Sequence, residues 1–195
     1  MHTPSLAEYV RCLDRGDLAG VGELMLASAR KLANAGANLL ICPDNTIHQA
    51  FAHVQPRSPL PWLHIAEVVS LEASRRGYTR LGLTGTRWLV DSDVYPQKLA
   101  EKGQQCVRPH PRECDETSQI IMDELVYGVV KPESIATYLS VIQEFKEQAC
   151  DAVILGCTEI PLIVNDDNSP LPVLDSTRLL ARAALQKAVS IGVAK

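Results

Sequence analysis

Two short runs in this sequence combine groups that move protons with groups that hold carboxylates: Pro43-Asp44-Asn45-Thr46 and Gly156-Cys157-Thr158-Glu159. Asp44 and Cys157 can each take up and return a proton. Two such groups on opposite faces of one carbon are what inversion of a stereocentre requires. Asn45, Thr46, Thr158 and nearby backbone N–H groups can hold a carboxylate and stabilise the enolate-like species left when a Cα proton departs. A thiol beside a helix N-terminus has a lowered pKa, so the sequence predicts Cys157 as a thiolate base. His48 lies one helical turn after Asp44, and His64 ends the next short strand; each can orient a reacting group or equally serve as a satisfied structural histidine. Glu159 is placed to steer specificity or to fix a neighbouring loop. Arg87 and Lys131 could pair with a substrate carboxylate, although isolated charges are more often solvated surface. Trp62 and Trp88 read as packing residues.

An internal repeat relates the two runs. Ser58-Pro59-Leu60-Pro61-Trp62-Leu63-His64 is echoed by Ser169-Pro170-Leu171-Pro172-Val173-Leu174-Asp175. Each copy follows an apolar run at a similar distance and precedes a helical pattern, which favours duplication over chance similarity. Laid over each other without gaps, the upstream runs put Asn38 on Asp151, Ile41 on Ile154 and Pro43 on Gly156. Asp44 then falls on Cys157, and Asn45 on Thr158. Duplicated halves facing each other across a cleft would aim Asp44 and Cys157 at one substrate from opposite sides.

The elements that must position these residues follow from apolar spacing. Helical periodicity covers 5–14 and 18–35, with a turn at Asp14-Arg15-Gly16-Asp17 and a stop at Gly36. Short all-apolar runs at 38–42, 80–84 and 152–155 suit strands buried on both faces, with weaker strands at 61–65, 104–107 and 172–174. Helical patterns at 46–53, 66–76, 91–102, 113–127, 133–149 and 176–190 lie between them. Such alternation predicts an α/β fold with parallel sheets. Ligands of such sheets bind beyond the carboxyl ends of the strands, where both runs sit.

Composition narrows the class. The 195 residues suffice for one domain or two small ones, and 46% apolar with 22% charged residues is ordinary for a globular chain. The net charge is −4, and no basic run exceeds Arg75-Arg76, so no nucleic-acid partner is expected. Apolar stretches are too short to span a bilayer, and no signal-like pattern opens the chain; a cytoplasmic protein is expected. The six cysteines then read as reduced thiols. Cys106, His110 and Cys114 have the spacing of a metal half-site. Pro109 and Pro111 prevent the helix that would align them, and no metal is expected.

Ile154-Leu155-Gly156-Cys157-Thr158-Glu159-Ile160-Pro161 resembles the aspartate/glutamate racemase family. So do Asn45-Thr46-Ile47-His48, Leu63-His64-Ile65, Gly82-Leu83-Thr84-Gly85-Thr86-Arg87, Ile121-Met122-Asp123-Glu124-Leu125 and Asp175-Ser176-Thr177. The likeness covers nearly the whole chain, and Glu159, where the glutamate branch has His, places it on the aspartate side. The resemblance implies two similar α/β halves related by a pseudo-twofold, with the active site between them. It implies a cofactor-independent isomerase, a homodimer, acting on aspartate, glutamate or a related acidic amino acid. Carried over by position, Cys157 and Asp44 are catalytic, while Asn45, Thr46, Thr158, Glu159, Gly85, Thr86, His48 and His64 bind substrate.

The sequence also departs from the family. Many members have Cys where this chain has Asp44; Cys42, two residues earlier, lies deeper and reads as structural. Leu89 stands where a hydroxyl residue often follows the Gly-Thr loop. A one-face isomerase or decarboxylase, or a catalytically inert ligand-binding homologue, is therefore the alternative. Family members also open with a βα unit, whereas no strand pattern precedes Ser5. The first half, 1–75 with part of the C-terminal helix 176–195, is thus expected to lack its first strand and to expose a sheet edge near 38–42. The second half is expected over 76–175.

Overall fold

The structure, a computed structural model, describes residues 1–193; residues 194 and 195, the end of the expected C-terminal helix, lie outside the described residues. Helices α1 (Leu6–Leu13) and α2 (Leu18–Asn34) come first. The Asp17 carboxylate starts α2 by accepting from the Gly20 N–H at 2.8 Å. Strand β1 (Leu40–Ile41) leads through a 3-10 turn at Thr46–Ala50 into α3 (Phe51–Val54). Strand β2 (Trp62–Leu63) and helix α4 (Ile65–Arg75) follow. Next come β3 (Arg80–Thr84), α5 (Arg87–Val90), α6 (Val94–Ala100), β4 (Gln105–Val107) and α7 (Pro111–Gln119). After a π-helical turn at Ile120–Glu124, the chain forms α8 (Pro132–Glu147), β5 (Ala152–Leu155), β6 (Val173–Asp175) and α9 (Ser176–Val193).

The strands form two parallel sheets, β1-β2 and β4-β3-β5-β6, the α/β arrangement expected from the alternation of elements. In the larger sheet every second residue serves one face. Ala152 and Ile154 pack with Ala66, Val69 and Ala73 of α4. Val153 and Leu155 pack with Tyr138, Ile142 and Phe145 of α8 on the other face. The smaller sheet has two strands, and Ile41 in it is 39% exposed. Among the described residues no helix is long and apolar enough to cross a membrane.

The repeat is visible atom by atom. Leu40 pairs with Trp62 in the first sheet, and Val153 with Val173 in the second, repeat-equivalent partners in the two copies. The Leu40 N–H donates to Pro61 O and the Val153 N–H to Pro172 O, both at 2.9 Å. Ser58 Oγ donates to Leu60 O at 2.8 Å, as Ser169 Oγ does to Leu171 O at 2.7 Å. Helices α4 and α9, one after each copy, pack against each other, and α9 also reaches β1 and β2. Helix α4 lies in the first half by residue number, yet its apolar face rests on the larger sheet.

Three elements differ from their sequence patterns, the expected helix 113–127 among them, which is α-helical only to Gln119 and continues as the π-turn and a 3-10 turn at Leu125–Tyr127. The expected helix 91–102 starts later, as α6 at Val94, and is preceded by a separate short helix, α5, which ends at Val90 where Ser92 Oγ donates to Leu89 O at 2.6 Å. The pattern at 46–53 opens as a 3-10 turn because the Asp44 side chain takes the first backbone N–H groups.

Gly156 holds the larger sheet's carboxyl edge closed. Its N–H donates to Thr84 O at 3.0 Å, and a Cβ there would lie 2.4 Å from that oxygen and 2.6 Å from Leu89 Cδ2. Gly156→Ala should therefore push the β3 and β5 loops apart and cost about 2–4 kcal/mol, since backbone must move to relieve the overlap. Equilibrium urea unfolding measures this; a cost under about 0.5 kcal/mol would show that the loops separate freely.

Candidate active site

The loop after β1 is built by Asp44. Its Oδ1 accepts from the Thr46 N–H at 2.9 Å and the Ile47 N–H at 3.3 Å. These bonds favour the carboxylate, but burial outweighs them, and the Glu159 charge adds to it, so the Asp44 carboxyl is pushed above the usual range. Asp44 thus holds a proton more readily than a surface aspartate. Asn45 serves as a strut: Tyr95 OH donates to its Oδ1 at 2.6 Å, and its Nδ2 donates to Ser176 Oγ at 3.0 Å. Ser176 Oγ passes the chain on to Leu155 O at 2.7 Å. Asn45 therefore ties the loop to α6, α9 and β5. Thr46 Oγ1 meets Thr86 Oγ1 of the β3 loop at 3.2 Å.

The loop after β5 sets the thiol. Cys157 Sγ donates to Glu159 Oε2 at 2.9 Å, and Thr158 Oγ1 donates to the same oxygen at 2.6 Å. Burial, then the Glu159 carboxylate, push the Cys157 thiol well above the ordinary range. This corrects the thiolate expected from the sequence. The chain beyond Cys157 makes a single 3-10 turn at Ile160–Leu162, without a full helix's N-terminal field, and an acid stands beside the sulfur.

The two loops share one cavity of about 110 Å³. Its polar wall presents Asp44, Thr46, Thr86, Cys157 and Glu159, with Asn45, Gly156 and Thr158 beside them. Leu6, Tyr9, Val10 and Leu13 of α1 cover one side. Trp88 and the π-turn segment, through Ile121, Met122 and Val126, form the other. Among the described residues no lysine, arginine or histidine lines it. Helix α1 is anchored from its flank, where His2 Nδ1 meets Ser28 Oγ of α2 at 2.9 Å. π-turns recur at functional sites because they re-aim side chains, and this one turns Ile121 and Met122 to the cavity.

Other expected site residues lie elsewhere. His48 and His64 face a neighbouring cavity with Phe51, Gln97 and Lys98. The His48 ring supports Asp44 from behind: Nδ1 donates to Asp44 O at 2.8 Å, while Nε2 accepts from the Ile65 N–H at 3.4 Å. His64 packs edge-on to His48 and Phe51, with ring centroids 4.7 and 4.8 Å away. Gly85 is absent from the cavity wall; a Cβ there would lie 2.9 Å from Leu89 Cδ2, so the residue serves close packing. Leu89 fills the space under the loops where the family pattern has a hydroxyl. Arg87 pairs with Asp91 and Asp115, and Lys131 with Glu124, all at the surface. His110 caps α7, its N–H donating to Glu113 Oε2 at 2.8 Å. Cys42 packs against the core of α1 and α2.

Sequence reasoning missed α1 and Trp88 as walls of the cavity. Helix α1's apolar spacing marks a buried face, but nothing local says against what.

The buried histidines make a pH prediction. Burial lowers His48 to about 4 and His64 to about 3. Below pH ~6.5 the unfolded chain binds protons that the folded chain refuses, so stability falls as pH drops from ~6.5 towards 4. Asp44, raised in the folded chain, works in the opposite sense and offsets part of this. The net loss should be roughly 1–3 kcal/mol per pH unit, read by urea unfolding between pH 7 and 4.5. His64→Phe should flatten that slope; stability unchanged from pH 7 to 5 would refute the burial argument.

Known proteins resemble this chain along most of its length. Residues 1–184 match the family described as Asp/Glu/hydantoin racemase. The broad-specificity amino-acid racemase RacX of Bacillus subtilis (strain 168) is 24% identical over 165 residues, covering 83% of this chain and 69% of that protein. A glutamate racemase of Pediococcus pentosaceus is 27% identical over 139 residues, which are 71% of this chain; the chain spans about half of that relative, 51%. Among solved structures, a candidate Asp/Glu racemase from Yersinia pestis superposes with a TM-score of 0.86 at 30% identity, over 96% of this chain and 82% of that one. An aspartate racemase homologue from Pyrococcus horikoshii OT3 gives 0.82 at 28% identity, with the same coverage.

Proposed function

The chain belongs to the Asp/Glu/hydantoin racemase family, and from that premise we propose that it is a cofactor-independent amino-acid racemase. Asp44 serves one face of the substrate Cα and Cys157 the other. The observation that carries this reading is that two proton-transferring groups, at repeat-equivalent positions, line one cavity. In one direction the Asp44 carboxylate takes the Cα proton, and the electron pair left behind is held by the substrate carboxylate as an enolate. The Cys157 thiol then gives its proton to the opposite face and becomes a thiolate. In the reverse direction the thiolate takes the proton and the Asp44 carboxyl returns one. Glu159 accepts the Cys157 hydrogen bond and so fixes the direction of the sulfur. The paired hydroxyls of Thr46 and Thr86 donate to the carboxylate as its charge grows.

In this proposal residues 1–75 with part of α9 form one half, residues 76–175 form the other, and the protein works as a homodimer. The family resemblance names aspartate and glutamate as the first substrates to assay; the broad-specificity relative widens the panel. The test is proton NMR in D₂O with each enantiomer supplied separately. Loss of the Cα–H signal together with appearance of the opposite enantiomer is the expected result. Exchange without inversion would favour the one-face isomerase or decarboxylase, a reading supported by the two N–H groups that tie down the Asp44 carboxylate. Absence of exchange with every amino acid would leave a binding protein.

A further inference from the structure

Resting on the racemase reading, we infer that the substrate carries an uncharged, apolar side chain, and is not aspartate or glutamate. The cavity's charges and its apolar walls are the grounds. Any free amino acid brings one ammonium and one carboxylate into the site. The ammonium is met by Asp44 and Glu159, the two acids on the wall. The carboxylate is met by the Thr46 and Thr86 hydroxyls, because the Asn45 amide is already committed to Tyr95 and Ser176. A second carboxylate finds no counter-charge. Among the described residues the wall has no cation, and both of its ionisable oxygen acids repel a further negative charge.

The cations closest in sequence to the loops are committed elsewhere: Arg87 is turned to the surface acids Asp91 and Asp115, and Lys131 to Glu124. The surface left for a side chain to touch is apolar, namely Leu6, Val10 and Leu13 on one side and Trp88, Met122 and Val126 on the other. A buried carboxylate against such groups lacks a counter-charge, with only the Trp88 indole N–H and the Tyr9 hydroxyl as donors, an unfavourable setting for an ion.

The full chain is tested with L- and D-leucine, methionine, aspartate and glutamate in D₂O. Leucine or methionine should exchange at Cα at least about 100-fold faster than either acid, measured as kcat/KM. Equal or faster exchange of aspartate or glutamate overturns the inference and leaves the racemase reading standing. If no amino acid exchanges, the racemase reading fails, and the side-chain class is read from binding. An upward shift of Tm with leucine or methionine, absent with the acids, then supports the inference, and the converse shift or no shift overturns it. A variant supplies the missing charge. Val126 is 37% exposed at the cavity rim, so Val126→Arg should fold and narrow the leucine-to-aspartate ratio at least about tenfold. An unchanged ratio in a folded Val126→Arg protein would show that charge does not set the preference.

Discussion

Cys157→Ser is expected to lower Cα exchange at least about a thousandfold while leaving the fold intact, because a positioned acid–base group is worth about 10²–10⁴ in rate. The substitution is close to isosteric, and a serine hydroxyl can still donate to Glu159 Oε2, as the thiol does at 2.9 Å. What it cannot do is ionise. Burial and Glu159 already hold the thiol well above its ordinary range, and a hydroxyl starts from far weaker acidity. The same surroundings that cost the thiol part of its acidity therefore exclude the alcohol. Exchange of the Cα hydrogen, followed by NMR with whichever amino acid the unaltered chain turns over, gives the result directly. A Ser variant retaining a tenth or more of the rate would remove Cys157 from the chemistry.

Asp44→Asn should separate the two stereochemical directions. An Asn Oδ1 can accept from the Thr46 and Ile47 N–H groups as the carboxylate does at 2.9 and 3.3 Å, so the loop should survive. The amide cannot take or return a proton, and inversion should fall at least about 100-fold. Cys157 would still exchange the α-hydrogen of the enantiomer that faces it, so exchange and inversion part company. The pH profile carries a second sign. With Asp44 as the base, the rate rises as pH passes upward through its carboxyl titration, which burial has moved above the usual aspartate range. That rising limb should vanish in the Asn variant. Inversion at the unaltered rate in both directions would show that Asp44 is not the second base.

The order of elements was legible because repeated residues make repeated bonds. Ser58-Pro59-Leu60-Pro61 and Ser169-Pro170-Leu171-Pro172 each fold the serine hydroxyl back on the carbonyl two residues on and deliver a strand to its partner. From that repeat, the juxtaposition of Asp44 with Cys157 around one cavity could be anticipated. The roles of single residues were less legible. His48 and His64 look like site residues in a motif, but the 3-10 turn carries His48 behind Asp44, where it meets His64 from the start of α4 in an aromatic cluster. Asn45 looks like a substrate ligand, yet Tyr95, fifty residues away, takes its oxygen. The acidity of Cys157 was misjudged because a tripeptide does not reveal that the Glu159 carboxylate folds back onto the sulfur. Each miss is a tertiary contact overriding a local rule.

The reach of α9 to β1 and β2 has a consequence for synthesis. Leu63 ends the small sheet, and Ser176 begins the helix that covers it. At about 5–20 residues per second, a ribosome needs roughly 6–22 s to deliver the intervening residues. For that interval the nascent β1 and β2 have an uncovered apolar surface and open strand edges, the features that recruit holding chaperones or seed aggregates. Pauses in translation between these points would lengthen the exposure, so yield in the cell should depend on elongation speed as well as on the stability of the finished fold.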